Sequence, residues 1–210
     1  MTAYYRPVAR FGEVPTSQSL PLAGGLCWFD TIAVHQRGGG ISHIAAVDAP
    51  GDVLENLTQH RAPIAGLDMG RPHLMGILNV TPDSFSDGGQ FNAPDAALQR
   101  ARDMQSQGAT IIDIGGESTR PGAAEVSVTE EIARTVPVIS AIRAQSDVPI
   151  SIDTRKSDVG VAALDAGANL VNDVAAFTYD PALATVAAKA GAPVCVMHAQ
   201  GTPATMQNDP

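Results

Sequence analysis

Cysteine is scarce in this 210-residue chain: Cys27 in the amino-terminal region and Cys195 inside an apolar run are the only two. Two isolated thiols provide neither a disulfide framework nor a thiolate metal cluster, so both read as buried thiols in a reducing compartment. Basic charge is short as well. A net charge of −9 and a pI near 4.8 exclude non-specific nucleic-acid binding, while leaving room for a locally basic pocket that takes an anionic ligand. The expected partner is therefore a small molecule. No window approaches the roughly 18 consecutive apolar residues of a membrane span, and the amino terminus lacks the basic and apolar segments of a signal peptide. A cytoplasmic location is the expectation. His35, His43 and His60 show no regular metal-ligand spacing. What is present, 44% apolar and 17% charged residues, is a soluble globular composition with enough apolar side chains for one sizeable core or a domain plus an appendage.

From residue 74 onward one pattern repeats. Residues 74–80 form an apolar run that breaks at Asn79 and Pro82 into a loop holding Asp83, Ser84, Phe85, Ser86 and Asp87 before Gly88 and Gly89. Residues 110–114, 148–153, 169–174 and 193–198 are further apolar runs, each with a polar group at or near its end. Three of them follow a Gly-Ala pair, at Gly108, Gly167 and Gly191, where glycine is expected to close a helix in the left-handed conformation. Helical spacing is read over 94–107, 129–145, 157–166 and 180–190, with Asn92 and Asp180 as caps and Pro137 expected to kink or break the second helix. Strand, loop, helix, glycine, strand is a βα repeat. Right-handed crossovers make such strands parallel and bring their polar ends out on one face, as in a TIM (β/α)8 barrel.

Residues 1–70 do not follow the repeat. Two strand-like runs, 26–34 and 41–47, joined through Gly38, Gly39 and Gly40, predict a β-hairpin, followed by a short helix with Asp52 as its cap. The first twenty residues, with Pro7 and Pro15, read as a mobile leader. The domain expectation is thus 1–70 as an amino-terminal extension and 71–210 as the barrel domain.

Asp113, Asp153 and Asn172 each interrupt an apolar strand, and a buried polar group without a partner costs on the order of 1–3 kcal/mol. They either stitch neighbouring strand ends together or hold a flat heterocycle whose ring N–H and amino groups supply donors. Arg120, among Gly115, Gly116 and Gly122, suits a phosphate or carboxylate, or else a surface ion pair. Phe85 is either a ligand-covering ring or one folded back on the core.

Residues 75–89, reading Met-Gly-Ile-Leu-Asn-Val-Thr-Pro-Asp-Ser-Phe-Ser-Asp-Gly-Gly, and 113–123, reading Asp-Ile-Gly-Gly-Glu-Ser-Thr-Arg-Pro-Gly-Ala, resemble the two signatures of the dihydropteroate synthase family. Residues 151–154, 172–174 and 197–201 continue the resemblance in order. It implies that 4-aminobenzoate displaces diphosphate, with Mg2+, from a hydroxymethyl-dihydropterin diphosphate. By the same resemblance Asp153, Asn172, Thr119 and Met197 hold the pterin and Asn79 helps bind the Mg2+. Phe85, Ser118, Arg120 and Pro121 belong to the aminobenzoate loops, and Asp83, Asp113 and Arg120 are the groups assigned to catalysis. A methyltetrahydrofolate-dependent corrinoid methyltransferase and a non-catalytic pterin-binding fragment are the rival readings. The resemblance further implies a homodimer. Five units read where eight make a barrel, leaving the chain about 80 residues short of the usual length, so an aggregation-prone and weakly active polypeptide is expected.

Overall fold

The computed structural model describes residues 3–12, 16–81, 93–118 and 124–197. The chain divides into two compact units, one of residues 1–64 and 68–72, the other of residues 65–67 and 73–210.

In the first unit, β1 (Ala3–Pro7), β2 (Leu20–Pro21), β3 (Trp28–Phe29), β4 (Thr31–Gln36) and β5 (Ile41–Ala45) precede α1 (Gly51–Thr58). The predicted hairpin is β4 with β5, antiparallel, and Gly38, Gly39 and Gly40 between them all have positive φ. The predicted single strand over 26–34 is instead two. Asp30 separates them, its carboxylate accepting from Thr31 Oγ1 at 2.8 Å and its carbonyl from Ala46 N–H. The expected leader is also corrected. Residues 3–7 pair with β4 along their whole length, half-burying Ala3, Tyr5 and Pro7 and exposing Tyr4 and Arg6. That period-two alternation is only five residues long and ends in proline, so it did not stand out as a strand. Asp52 is not a cap, because α1 starts one residue earlier with Pro50 before it. Phe29, Ile32, Val34 and Ala46 form this unit's core.

The second unit holds β6 (Met75–Asn79), α2 (Ala93–Ser106), β7 (Ile111–Gly115), α3 (Val128–Arg143), β8 (Ile150–Asp153), α4 (Ser157–Asp165), β9 (Leu170–Asp173), α5 (Ala182–Ala190) and β10 (Val194–Val196). The five strands lie parallel and side by side in chain order, with β6 and β10 at the edges. Among the described residues these are four successive βα units of the TIM-barrel type and the strand of a fifth, in the order the repeat predicts. The Gly-Ala pairs explain themselves. Gly108, Gly167 and Gly191 have φ of +105°, +112° and +62°. Each glycine N–H reaches the carbonyl three residues back, and the following Ala109, Ala168 or Ala192 N–H reaches the carbonyl five back, which is one helix-closing motif made three times.

Side chains alternate along each strand, and Leu78, Ile112, Ile114, Ile150, Ile152 and Val171 all point to the helix side, where Ile139, Ile142, Val159, Ala163 and Leu183 meet them. Of the expected kink or break at Pro137, the break does not occur: α3 continues through it as one helix. Ser127 caps its start by accepting from Glu130 N–H, and Val138, Ile139 and Ile142 beyond the proline are buried against the sheet, so both halves are held despite the missing donor. Among the described residues no helix is long and apolar enough to cross a membrane.

Asp180 caps two helices at once, its carboxylate accepting from Ser157 N–H at the start of α4 (2.7 Å) and from Ala182 N–H at the start of α5 (3.1 Å). The bonds from Ser157 hold its carboxyl below the ordinary value. Asp180→Ala is expected to cost about 1 kcal/mol at each helix in urea unfolding near neutral pH. Because the folded-state pKa is depressed, that contribution is present above the unfolded carboxyl's pKa and fades as the pH falls through the folded one, so wild type and variant should converge in acid.

Candidate functional site

Strand register places the polar residues in rows. Asn79 is opposite Gly115, Gly115 opposite Asp153, Asp153 opposite Asn172 and Asn172 opposite Cys195, one line across the carboxyl-terminal end of the sheet. One step down the same face, Ile77, Asp113, Ser151 and Leu170 form the next line. Asn79, Asp113, Asp153 and Asn172 therefore share one face, opposite the one covered by helices. Asn172 Nδ2 donates to both oxygens of Asp113, at 3.4 and 3.3 Å. Gly115 leaves a gap in the line: a Cβ there would stand 3.4 Å from Asn79 Oδ1 and 3.4 Å from Asp153 Oδ2.

Two carboxyls on this face share a small space. Burial raises the pKa of Asp113, which is 4% exposed, against the opposing effects of the nearby Ser151 hydroxyl and of the Asn172 hydrogen bonds. Asp153 is pushed up to about 7, by burial first and then by the charges of Asp113, Glu131, Asp173 and Glu117. Asp153 Oδ1 is buried and has no hydrogen-bond partner among the described residues. Such a carboxylate is suited to a ligand that brings its own N–H donors. Gly115→Ala should leave stability within about 1 kcal/mol in urea unfolding, since 3.4 Å is ordinary contact, while the methyl fills the gap between Asn79 Oδ1 and Asp153 Oδ2.

Of the other residues singled out in the sequence, Met197 follows β10, is 52% exposed, and donates its N–H to Asp173 O at 3.3 Å. Ser118 is exposed two residues past Gly116. Asp83, Phe85, Thr119, Arg120 and Pro121 lie outside the described residues. Cys195 is not the buried thiol expected: β10 is an edge strand with all three residues exposed, so an apolar neighbourhood in sequence did not mean burial.

Sequence reasoning missed a buried charge cluster beside this face. Lys156 Nζ lies 2.6 Å from Glu131 Oε2 and 3.2 Å from Glu117 Oε2, and Arg155 Nη2 lies 2.9 Å from the same Glu117 oxygen. Thr154 Oγ1 donates to Glu131 Oε1 at 2.6 Å. Burial pushes the Glu117 carboxyl up, but the Val126 N–H, Arg155 and Lys156 outweigh it and hold it below the ordinary value. Glu131 is fully buried in α3. It gave one signal: with Thr135, Val138 and Ile142 it lies on a single helical stripe, a charge where a core residue belongs.

Residues 75–210 match the family model described as "Pterin binding enzyme". The chain belongs to that family of pterin-binding enzymes. It is 54% identical to the dihydropteroate synthase of Escherichia coli (strain K12) over 144 residues, 69% of this chain and 51% of that protein. A crystal structure of Yersinia pestis dihydropteroate synthase, in complex with a sulfonamide drug, matches with a TM-score of 0.63 and 57% identity over 69% of this chain and 52% of that one. Another, from Xanthomonas albilineans with 4-aminobenzoic acid, matches with a TM-score of 0.62 and 47% identity over 65% of this chain and 50% of that one. The chain spans about half the length of the curated relatives it matches.

Proposed function

We propose that this chain carries the pterin-holding half of a dihydropteroate synthase site, for the reaction in which 4-aminobenzoate displaces diphosphate from 6-hydroxymethyl-7,8-dihydropterin diphosphate. The observation that carries this reading is the shared face of Asn79, Asp113, Asp153 and Asn172 at the carboxyl ends of parallel strands, in a chain 54% identical to dihydropteroate synthases. Brought to this chain, the 4-aminobenzoic acid of the Xanthomonas structure and the sulfonamide drug of the Yersinia complex support the second substrate. Neither of those structures, nor the E. coli relative, is a corrinoid methyltransferase, so that rival gains nothing from them.

Asp153 Oδ1 accepts from the pterin's ring N–H or amino group, and Asn172, already donating to Asp113, presents its amide oxygen to the same ring. As the C–O bond to diphosphate breaks, the leaving group takes the electron pair and positive charge grows on the pterin methylene. Asp113 and Asp153 supply the negative field that stabilises it. The amine nitrogen of 4-aminobenzoate then bonds to that carbon and loses a proton. Met197 packs on the pterin and Thr119 contacts it, and Ser118, Arg120, Pro121, Asp83 and Phe85 serve the aminobenzoate side.

A Mg2+ ion, when bound, would supply positive charge against the departing diphosphate, and Asn79 is the residue that would help hold it. Among the described residues no group of three or more His, Cys, Asp or Glu could hold a metal by itself. A single exposed amide oxygen at Asn79, across the Gly115 gap from Asp153, fits an ion that takes most of its oxygens from phosphate and water.

The test is diphosphate release from the pterin diphosphate by the full chain, with and without 4-aminobenzoate. Release that depends on the amine supports the reaction. Methyl transfer to a corrinoid in its place would overturn the reading.

A further inference from the structure

We propose that Glu117 is a positioning residue that clasps the connection between β7 and α3 at its base and ties it to the two connections that follow. Its Oε1 accepts the N–H of Val126, nine residues onward, at 2.9 Å. Its Oε2 accepts from Arg155 at 2.9 Å and lies 3.2 Å from Lys156 Nζ. Lys156 Nζ in turn donates to the Val126 carbonyl at 2.6 Å. Both backbone groups of one residue at the returning end of the connection are thus held by buried side chains, and the outgoing end carries the carboxylate itself.

Arg155 extends the clasp. Its guanidinium lies 4.3 Å from the centre of the Tyr179 ring, in the connection between β9 and α5, and the Tyr179 hydroxyl bonds the Glu125 carboxylate. Glu117, Arg155, Tyr179 and Glu125 close a circuit through the connections after β7, β8 and β9. Asp153 stands two residues before Arg155. Stability alone does not ask for this arrangement, because apolar side chains of similar volume fill such a space at least as well. A charged circuit instead fixes where the ends of the β7–α3 connection stand relative to the strand that presents Asp153.

The inference deepens the proposed function, on which it rests for the ligands: the clasp acts mainly on the aminobenzoate side, and pterin binding rests mostly on the sheet. Hydrogen exchange on the full chain tests it without a ligand. In Glu117→Ala, the amides of residues 124–126 should exchange at least about tenfold faster, with those of β7, β8 and β9 within about twofold of wild type. Glu117→Gln keeps an oxygen for Val126 N–H but not the ion pairs, and should fall between. With diphosphate and pterin present, Glu117→Gln should weaken 4-aminobenzoate about tenfold and 6-hydroxymethylpterin less than about threefold. Unchanged exchange over 124–126, or an equal rise across all three strands, would overturn the clasp. Equal weakening of both ligands would overturn its selectivity. A wild-type chain that binds no pterin would count against the proposed function alone, since the exchange rates decide the clasp independently.

Discussion

Asp153→Asn is expected to abolish pterin binding and, at pH 8, to make the fold more stable. The first half follows from charge. An amide in place of the carboxylate puts an NH2 or a weaker acceptor where Asp153 Oδ1 awaits a donor, and calorimetry with 6-hydroxymethylpterin should show at least about a hundredfold loss. The second half follows from linkage. The carboxyl's pKa in the folded chain is about 7, raised from 3.8. Between these values the folded state binds more protons than the unfolded state, so wild-type stability falls as the pH rises through that window and levels off above it. A shift of this size corresponds to roughly 4 kcal/mol at 1.36 kcal/mol per unit, reduced to about 2–3 kcal/mol by solvent at the exposed part of the group. Asparagine cannot ionise and escapes the whole penalty. Urea unfolding at pH 4, 6 and 8 should therefore show the variant level with wild type in acid and more stable in base. A variant no more stable than wild type at pH 8 would mean that Asp153 is solvated or already paired.

The same titration shapes binding. On the proposed reading Asp153 accepts from the pterin, and the ionised carboxylate is the stronger acceptor, so affinity should rise as the pH rises through about 7 and then flatten. Asp113, whose pKa is also raised by burial, lies on the same face, so the two acids titrate as a pair and the transition is broader than that of a single group.

Much of this was legible in the sequence because it is local or periodic. The three Gly-Ala pairs encode their helix ends within a few residues, since a left-handed residue excludes most side chains and names glycine. The interruptions at Asn79, Asp113, Asp153 and Asn172 fall on one face because strand periodicity and parallel order leave them no other. The illegible parts depend on distance or on edges. Glu117 meets Arg155 and Lys156 across nearly forty residues of chain, and nothing near any of the three announces the others. Cys195 sits in a run as apolar as its neighbours, yet its exposure depends on lying at the margin of the sheet. The strand over residues 3–7 exists only by pairing with β4, so its five residues carry little signal alone.

Lys156→Met is expected to be the most destabilising single change, and its partner change to rescue it. Glu131 is fully buried, with one oxygen bonded to Thr154 Oγ1 and the other to Lys156 Nζ. Removing the ammonium leaves that carboxylate without its counter-charge and the Val126 carbonyl without its side-chain donor, while Glu117 keeps Arg155 and the Val126 N–H. Breaking one side of a buried pair costs about 3–5 kcal/mol, most of it the penalty of the charge left behind. Glu131→Leu in the Lys156→Met background removes that charge and supplies apolar volume beside Val138 and Thr135. The double variant should then lie within about 2 kcal/mol of wild type by urea unfolding, far less than the sum of the two single losses. If the losses add, the two groups are solvated independently and the short contact between α3 and the start of α4 carries no coupling. If they compensate, the cluster is neutral in net stability, and its effect lies in where it holds Val126 and Thr154: the charged version should retain slow amide exchange over 124–126, and the apolar version should lose it at nearly equal stability.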